Sequence, residues 1–326
     1  MKNDDLVSVI IPAHNRSLLL QECLESLAQQ TYQVIEVLLI DDASEEDVKR
    51  VFNSIHWPVS YSCQYIRSEI NVGPGVAREM GRQAARGEFI SYLDSDDLWC
   101  PQKIEQQVQR LLNDPNAGMC YCISKEFKTL PLSGTENIRI RSDQEFSSFL
   151  PHILVGRPWG TAACLWRRWA TDLVGPWSPG RVWEDYEYDC RAGCHDIPVI
   201  FLPDVLCFYR RLETQVSWSP AEFHNKRLLQ VPNLISMAQD LERFGKLADR
   251  EINERMITLL YQIGLSLIIH KEIKIGRECL DQIARLHTAP WTLRLWVGAI
   301  STISEALHTN LIARVAHRFA LPNVRE

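Results

Sequence analysis

The chain has no surplus of positive charge, no C-x-x-C cysteine pair, no apolar leader and no hydrophobic run long enough to cross a membrane. Its formal net charge of −6 argues against nucleic acid as a main partner, because binding a phosphate backbone requires a basic surface. Ten cysteines are present, but Cys120-Tyr121-Cys122 and Cys190 to His195 lack the spacing of a structural zinc site. They read as packed thiols. Met1 to Asp5 leads straight into a strand pattern, so reduced thiols in a cytoplasmic protein are the expectation. A membrane span needs about 20 apolar residues. The nearest candidate, 291–319, is interrupted by Arg294, Glu305, His308, Arg314, His317 and Arg318.

At 326 residues with 46% hydrophobic side chains, the chain can bury a large core. Its first hundred residues alternate β and α patterns. Apolar runs at 7–12, 34–40, 61–66 and 89–93 predict strands, and helices are expected over 17–29, 45–53 and 74–86. Asn15 or Ser17 is the candidate N-cap of the first helix, and Gly87 the left-handed residue closing the third. Near-continuous apolar strands in β-α-β order imply an α/β fold with a mostly parallel sheet covered on both faces. Further strands are expected near 119–124, 199–202 and 205–209, with a polar excursion over 129–145. From Pro220 the pattern becomes helical, with helices near 221–243, 248–270 and 274–287 and one starting at Pro290. The expected organisation is therefore a catalytic domain over 1–219 and an α-helical region over 220–326.

Ligands of parallel sheets sit beyond the carboxyl ends of the strands. Three polar clusters fall there: Pro12 to Arg16, Asp41-Asp42 and Asp94-Ser95-Asp96-Asp97. Taken alone, the last reads as an acidic turn. Like charges crowded at a buried strand end instead call for a neutralising partner, and hard oxygen ligands suit Mg2+ or Mn2+ shared with substrate phosphates.

The motifs, in order, resemble those of the family 2 glycosyltransferases, which have the Rossmann-like GT-A fold. The resemblance rests on Val9 to Arg16, Val37 to Ser44, Asn71 to Arg78, Ala85 to Ile90, Leu93 to Asp97 and Glu184-Asp185. It implies inverting transfer of one sugar from a nucleotide-sugar donor to an acceptor hydroxyl, assisted by Mg2+ or Mn2+. It implies donor binding by Pro12, Ala13, His14, Asn15, Arg16, Asp42, Gly73, Arg78, Asp94 and Ser95. Asp96, supported by Asp94, is the implied metal ligand, with Asp97 behind them. Asp185 is the implied general base and Glu184 an acceptor-orienting neighbour. Plainer readings stand beside these: Arg78 as a helix salt bridge, and Glu184-Asp185 as an acidic start that suits a helix dipole.

Two departures matter. Leu212 stands where many relatives carry a histidine after Tyr-Arg, so Arg210 or Arg211 is the substitute for neutralising the diphosphate. The Gln-x-x-Arg-Trp signature of processive synthases is absent, which favours single transfer. The resemblance favours UDP, with dTDP and GDP open, and a saccharide or lipid-linked saccharide acceptor in bacterial cell-surface polysaccharide assembly. A sugar-nucleotide nucleotidyltransferase would want a glycine- and lysine-bearing loop after the first strand, which Pro12-Ala13-His14-Asn15 does not supply. A non-catalytic scaffold of the same fold would have no use for Asp94, Asp96 and Asp185. Trp291, Leu295, Trp296, Ile300 and the apolar residues that follow form a stripe. It suits peripheral membrane contact, an ordinary core helix or a homodimer contact.

Overall fold

The computed structural model describes residues 5–128, 140–211 and 220–303. Contacts divide it into two compact units. The first comprises residues 1–149, 157–179 and 195–217, and the second 150–156, 180–194 and 218–326.

The first unit is built on a nine-stranded sheet. Strands β1 (Val7–Ala13), β2 (Ile35–Asp41), β3 (Ser62–Arg67) and β4 (Phe89–Tyr92) pair in the parallel order β3-β2-β1-β4. Helices α1 (Ser17–Ala28), α2 (Val48–Ser54) and α3 (Pro74–Ala84) connect them. β1, β2 and β4, with Leu20, Leu24 and Leu27 of α1, are buried along almost their whole length, which accounts for the unbroken apolar runs, whereas the edge strand β3 is exposed to half-buried.

The far half of the sheet is mixed. Beyond β4 lie β8 (Cys164–Arg167), β6 (Met119–Phe127), β9 (Val199–Arg210) and β5 (Leu98–Trp99), with β7 (Ile140–Arg141) attached to β6. β8 runs antiparallel to both β4 and β6, and β5 antiparallel to β9. β6 and β9 are parallel, with register shifts at Cys122/Ile123 and Ile123/Ser124. The two strands expected at 199–202 and 205–209 are thus one strand that runs through this irregularity. The expected excursion contains the paired strand β7, whose partners are Ser124 and Lys125; residues 129–139 lie outside the described residues. The basic stretch before helix α5 (Arg168–Val174) is structural. Arg167 donates to Leu111 O and Ala117 O, and Arg168 to Gly87 O and Ala85 O.

Two local expectations need correction. Neither Asn15 nor Ser17 caps α1; Arg16 is the N-cap residue, and its side chain makes no cap bond. The amides of Arg16 and Ser17 donate instead to Glu46, 3.1 and 2.6 Å away, across the β2–α2 loop. Gly87 is not the left-handed end of α3, which closes at Ala84 with extended Ala85 as its cap. Gly87 is required by close approach: a Cβ there would sit 2.5 Å from Leu6 O and 2.7 Å from Ser8 N.

The second unit is helical: α6 (Glu184–Cys194), α7 (Pro220–Arg243), α8 (Arg250–Ile269), α9 (Ile273–Arg285) and α10 (Trp291–Ile303). Asp249 caps α8 by accepting from Ile252 N at 3.0 Å. α8 and α9 meet at glycines, since a Cβ on Gly276 would lie 2.6 Å from Gly264 O. Leu234, Met237, Met256, Leu260, Leu267, Leu280 and Ile283 fill the core, and Cys190 and Cys194 of α6 pack into it. On α10, Val297 joins this core while Trp291 and Leu295 are exposed. The stripe beyond Ile303 lies outside the described residues. No helix among the described residues is long and apolar enough to cross a membrane.

Candidate active site

The parallel strands β1, β2 and β4 end at one edge of the sheet, and their following loops meet there. Leu93 N donates to Ile10 O at 2.9 Å, extending the β4 pairing by one residue. Pro12 has no N–H to continue it, so the chain after Leu93 is released from the sheet. Asp94 to Asp97 then form a tight turn, closed by Asp97 N donating to Asp94 O at 3.0 Å.

The loop after β1 is held in an uncommon conformation. Asn15 and Arg16 have φ of 58° and 61°, and Ala43 in the neighbouring β2 loop has 55°. Left-handed residues other than glycine persist only where surroundings enforce them. Here Asn15 N donates to Ser44 Oγ at 2.9 Å, and Asn15 Oδ1 accepts from Glu45 N at 2.8 Å. His14 is exposed, and its Nδ1 lies 2.8 Å from Asp42 O. A carbonyl can only accept, so the proton sits on Nδ1. Pro12 and Ala13 serve as backbone at the strand end, with Ala13 O accepting from Asp42 N at 2.8 Å.

The two aspartates after β2 divide their work. Asp41 is buried and accepts from Ser44 N, from the Tyr65 hydroxyl and from Arg67. Burial pushes its carboxyl up, but these hydrogen bonds outweigh it and hold the carboxyl below its ordinary range. Asp42 accepts from Val72 N at 2.6 Å and Gly73 N at 2.9 Å, so it shapes the loop entering α3. Gly73 is needed there because its φ is 86°. Each Asp42 oxygen keeps a further lone pair.

Every carboxylate of the acidic turn meets an arginine. Arg78, buried on α3, places Nη2 2.7 Å from Asp94 Oδ1, and its guanidinium lies 5.0 Å from the Trp177 ring centroid. Arg16 Nη1 lies 3.0 Å from Asp96 Oδ2. Arg210 N donates to Asp97 Oδ1 at 3.0 Å, and Arg210 Nε to Asp96 O at 3.1 Å. Arg210 is also ion-paired with Glu22 of α1, and Arg211 with Glu126. Both arginines named as candidates for the diphosphate hold protein groups in this structure. Leu212 lies outside the described residues. Ser95 is half-buried within the turn.

Crowding raises the cost of ionising this turn. The Asp96 carboxyl is pushed up by burial and then by Asp94, and Arg16 and Arg210 offset part of this. Asp97 is pushed well above its ordinary range by burial, Asp94 and Asp96. A group needing so much positive charge suits a cation. Among the described residues no three His, Cys, Asp or Glu side chains could together hold a metal ion. The donor set still fits Mg2+ or Mn2+, which accept one or two carboxylates and take their remaining ligands from phosphates and water.

Glu184 and Asp185 belong to the second unit, in the first turn of α6. Trp183 precedes them with φ 66° and stacks on Tyr186 at 5.0 Å. Asp185 is half-buried and accepts from Tyr186 N at 2.9 Å; Glu184 is buried. Glu187 pairs with Arg191 at 2.6 and 2.9 Å. Burial pushes the Glu187 carboxyl up despite that arginine.

Residues 8–167 match the family model described as glycosyl transferase family 2. Over that segment the chain belongs to glycosyltransferase family 2. A curated glycosyltransferase of Haemophilus influenzae is 36% identical over 116 residues, which are 36% of this chain and 38% of the relative. The chain spans less than half the length of the first curated relatives it matches. Among solved structures, S. aureus TarS 1-349 in complex with UDP-GlcNAc has a TM-score of 0.63 at 15% identity, covering 98% of this chain and 93% of that one. The Pyrobaculum calidifontis mannosyltransferase PcManGT, in complex with GDP-Man and Mn2+, has a TM-score of 0.54 at 17% identity, covering 96% and 87%. At these identities the likeness concerns the fold, and the fold is that of the GT-A family 2 enzymes.

Three contributors were invisible to sequence reasoning: Glu46, Glu22 and Trp177. Each acts on a residue at least 30 positions away or lies outside every motif. Local spacing therefore carried no signal for them.

Proposed function

We propose that the protein transfers a single sugar from a nucleotide-sugar donor, favouring UDP, to a hydroxyl of a saccharide or lipid-linked saccharide. One observation carries this reading. Arg16, Asp42, Arg78, Asp94 and Asp96 converge at a single sheet edge, the acidic turn bracketed by guanidinium groups. Such a site recognises a diphosphate and stabilises the charge that develops on it as the sugar departs. The complexes of TarS with UDP-GlcNAc and of PcManGT with GDP-Man and Mn2+ support a nucleotide sugar and a divalent ion for this chain.

In this reading the loop from Pro12 to Arg16, with Asp42 and Gly73, receives the nucleoside. Asp94 and Ser95 receive the ribose side. Asp96, with Asp94, would hold Mg2+ or Mn2+. That ion, when bound, supplies positive charge against the leaving diphosphate. Arg78 orients Asp94 through its ion pair. Asp185 takes the proton from the acceptor hydroxyl, and Glu184 orients the acceptor.

The test is release of nucleoside diphosphate from UDP-, GDP- and dTDP-sugars, with Mn2+ and with EDTA. We expect release from a UDP-sugar that EDTA suppresses. A folded protein that releases no diphosphate from any donor, with or without candidate acceptors, would remove the enzymatic reading.

A further inference from the structure

The arginines at the acidic turn are of two kinds. Arg210 has a side chain only 5% exposed and grips the main chain of the turn through Asp96 O, while its own amide serves Asp97. It is further fixed by Glu22 and by the Phe127 ring, 4.3 Å from its guanidinium. Arg16 is different, because among the described residues its guanidinium touches only the carboxylate of Asp96, and its side chain is 49% exposed against 16% for Asp96. The Arg16 backbone is immobilised by its φ of 61° and by Glu46, which accepts from Arg16 N and Ser17 N. A fixed main chain thus carries a long, half-solvated side chain that can swing without disturbing the loop.

We propose that Arg16 is an exchange cation: it holds Asp96 in the ligand-free protein and passes to a phosphate of the donor when a divalent ion takes Asp96. Metal binding is thereby made conditional on donor. This inference rests on the nucleotide-sugar reading of the site. Its physical basis is charge and geometry. Four carboxylates, Glu22, Asp94, Asp96 and Asp97, face three guanidinium groups, Arg16, Arg78 and Arg210. A divalent ion arriving alone displaces Arg16 into water and leaves that guanidinium unpaired. An ion arriving with a diphosphate diester is a neutral addition, and the displaced guanidinium gains a phosphate, which it can bind through two parallel N–H bonds. Arg210 keeps the turn in place during the exchange, since it binds main chain rather than the carboxylate that changes partners. Coupling of this kind is reciprocal, so donor raises metal affinity by the factor by which metal raises donor affinity.

Calorimetric titrations of Mn2+ alone, UDP alone and Mn2+ at saturating UDP, on wild type, Arg16→Gln and Arg16→Lys, test the exchange. Arg16→Gln should bind Mn2+ alone about threefold or more tightly, the scale set by removal of a partly exposed ion pair. It should bind UDP more weakly, so the gain in Mn2+ affinity on adding UDP shrinks; Arg16→Lys, which keeps the charge but not the paired N–H fork, should fall between wild type and Arg16→Gln. A second route does not depend on that variant. Asp96→Asn should bind UDP more tightly without metal, and the gain should disappear in Asp96→Asn/Arg16→Gln. Unchanged or weaker Mn2+ binding by a folded Arg16→Gln, or an Asp96→Asn gain indifferent to Arg16, would overturn the exchange. Wild type that binds UDP but never Mn2+ would overturn the metal assignment itself. Binding of neither ligand would overturn the nucleotide-sugar reading beneath both.

Discussion

Single residues have separable proposed duties. Asp185→Asn should lower the turnover rate by at least about a hundredfold, the usual contribution of a positioned base. UDP affinity measured by calorimetry should stay nearly unchanged, and its loss would contradict the assignment. Arg210→Ala makes the opposite prediction, because it strips the turn of its main-chain anchor and leaves Glu22 without its buried partner. Losing the hydrogen bonds of a charged side chain costs on the order of 2 kcal/mol, which urea unfolding would register. Much of this was legible from the chain. Asp94 to Asp97 and Asp42 could be placed because each follows an apolar strand, and parallel strands present their carboxyl ends together; Arg78, inside α3, was placed by the family resemblance alone. The partnership of Arg210 with Glu22 was not legible, since 188 positions separate them and neither lies in a repeating pattern.

Elements are set by close approach as much as by periodicity. Gly87→Ala should be destabilising by about 1–3 kcal/mol, because the added methyl meets backbone atoms of Leu6 and Ser8 that cannot rotate away. Gly276→Ala should weaken the α8–α9 contact in the same manner, through Gly264 O and Ile268. Denaturation followed by far-UV circular dichroism would check both, and an unchanged midpoint would refute the packing account. The apolar spacing of 248–270 and 274–287 foretold α8 and α9 to within two residues at each end. It was silent about the glycines, whose importance depends on which backbone lies opposite. It was equally silent on α6, whose acidic first turn was visible while its packing with Leu234 and Met237 was not.

For the whole molecule, ionisation sets the acid limit. Asp41 and Glu79 are held below their ordinary values: burial pushes each up, but hydrogen bonds from Ser44, Tyr65 and Arg67, or from Arg82, Gln83 and Trp177 N, prevail. A carboxyl depressed by folding adds stability that is fully present above its unfolded pKa, about 4, and lost as pH falls through the lower folded value. Stability should therefore drop as pH falls below about 4, and the drop should be shallower in Asp41→Asn, measured by urea midpoints between pH 5 and pH 2.5. An Asp41→Asn profile as steep as that of wild type would show that Asp41 is not a source of the loss. Glu187, pushed up by burial, works in the opposite sense. Its penalty is present above its raised folded value and is relieved as pH falls toward the unfolded one.

By itself the amino-acid sequence determined the β-α-β order, the strand-end position of the acidic turn and the change to helices after residue 219. All three follow from local periodicity and from residue types whose preferences act within a few positions. Tertiary structure alone decided the antiparallel β8 in mid-sheet, the capping of α1 by Glu46 and the pairing of Asp96 with Arg16, 80 positions apart. It also decided that Arg210 reaches Asp96 O and Glu22. Those choices depend on which side chains a folded surface brings within about 3 Å, and hydrogen-bond geometry at that range has no counterpart in sequence spacing.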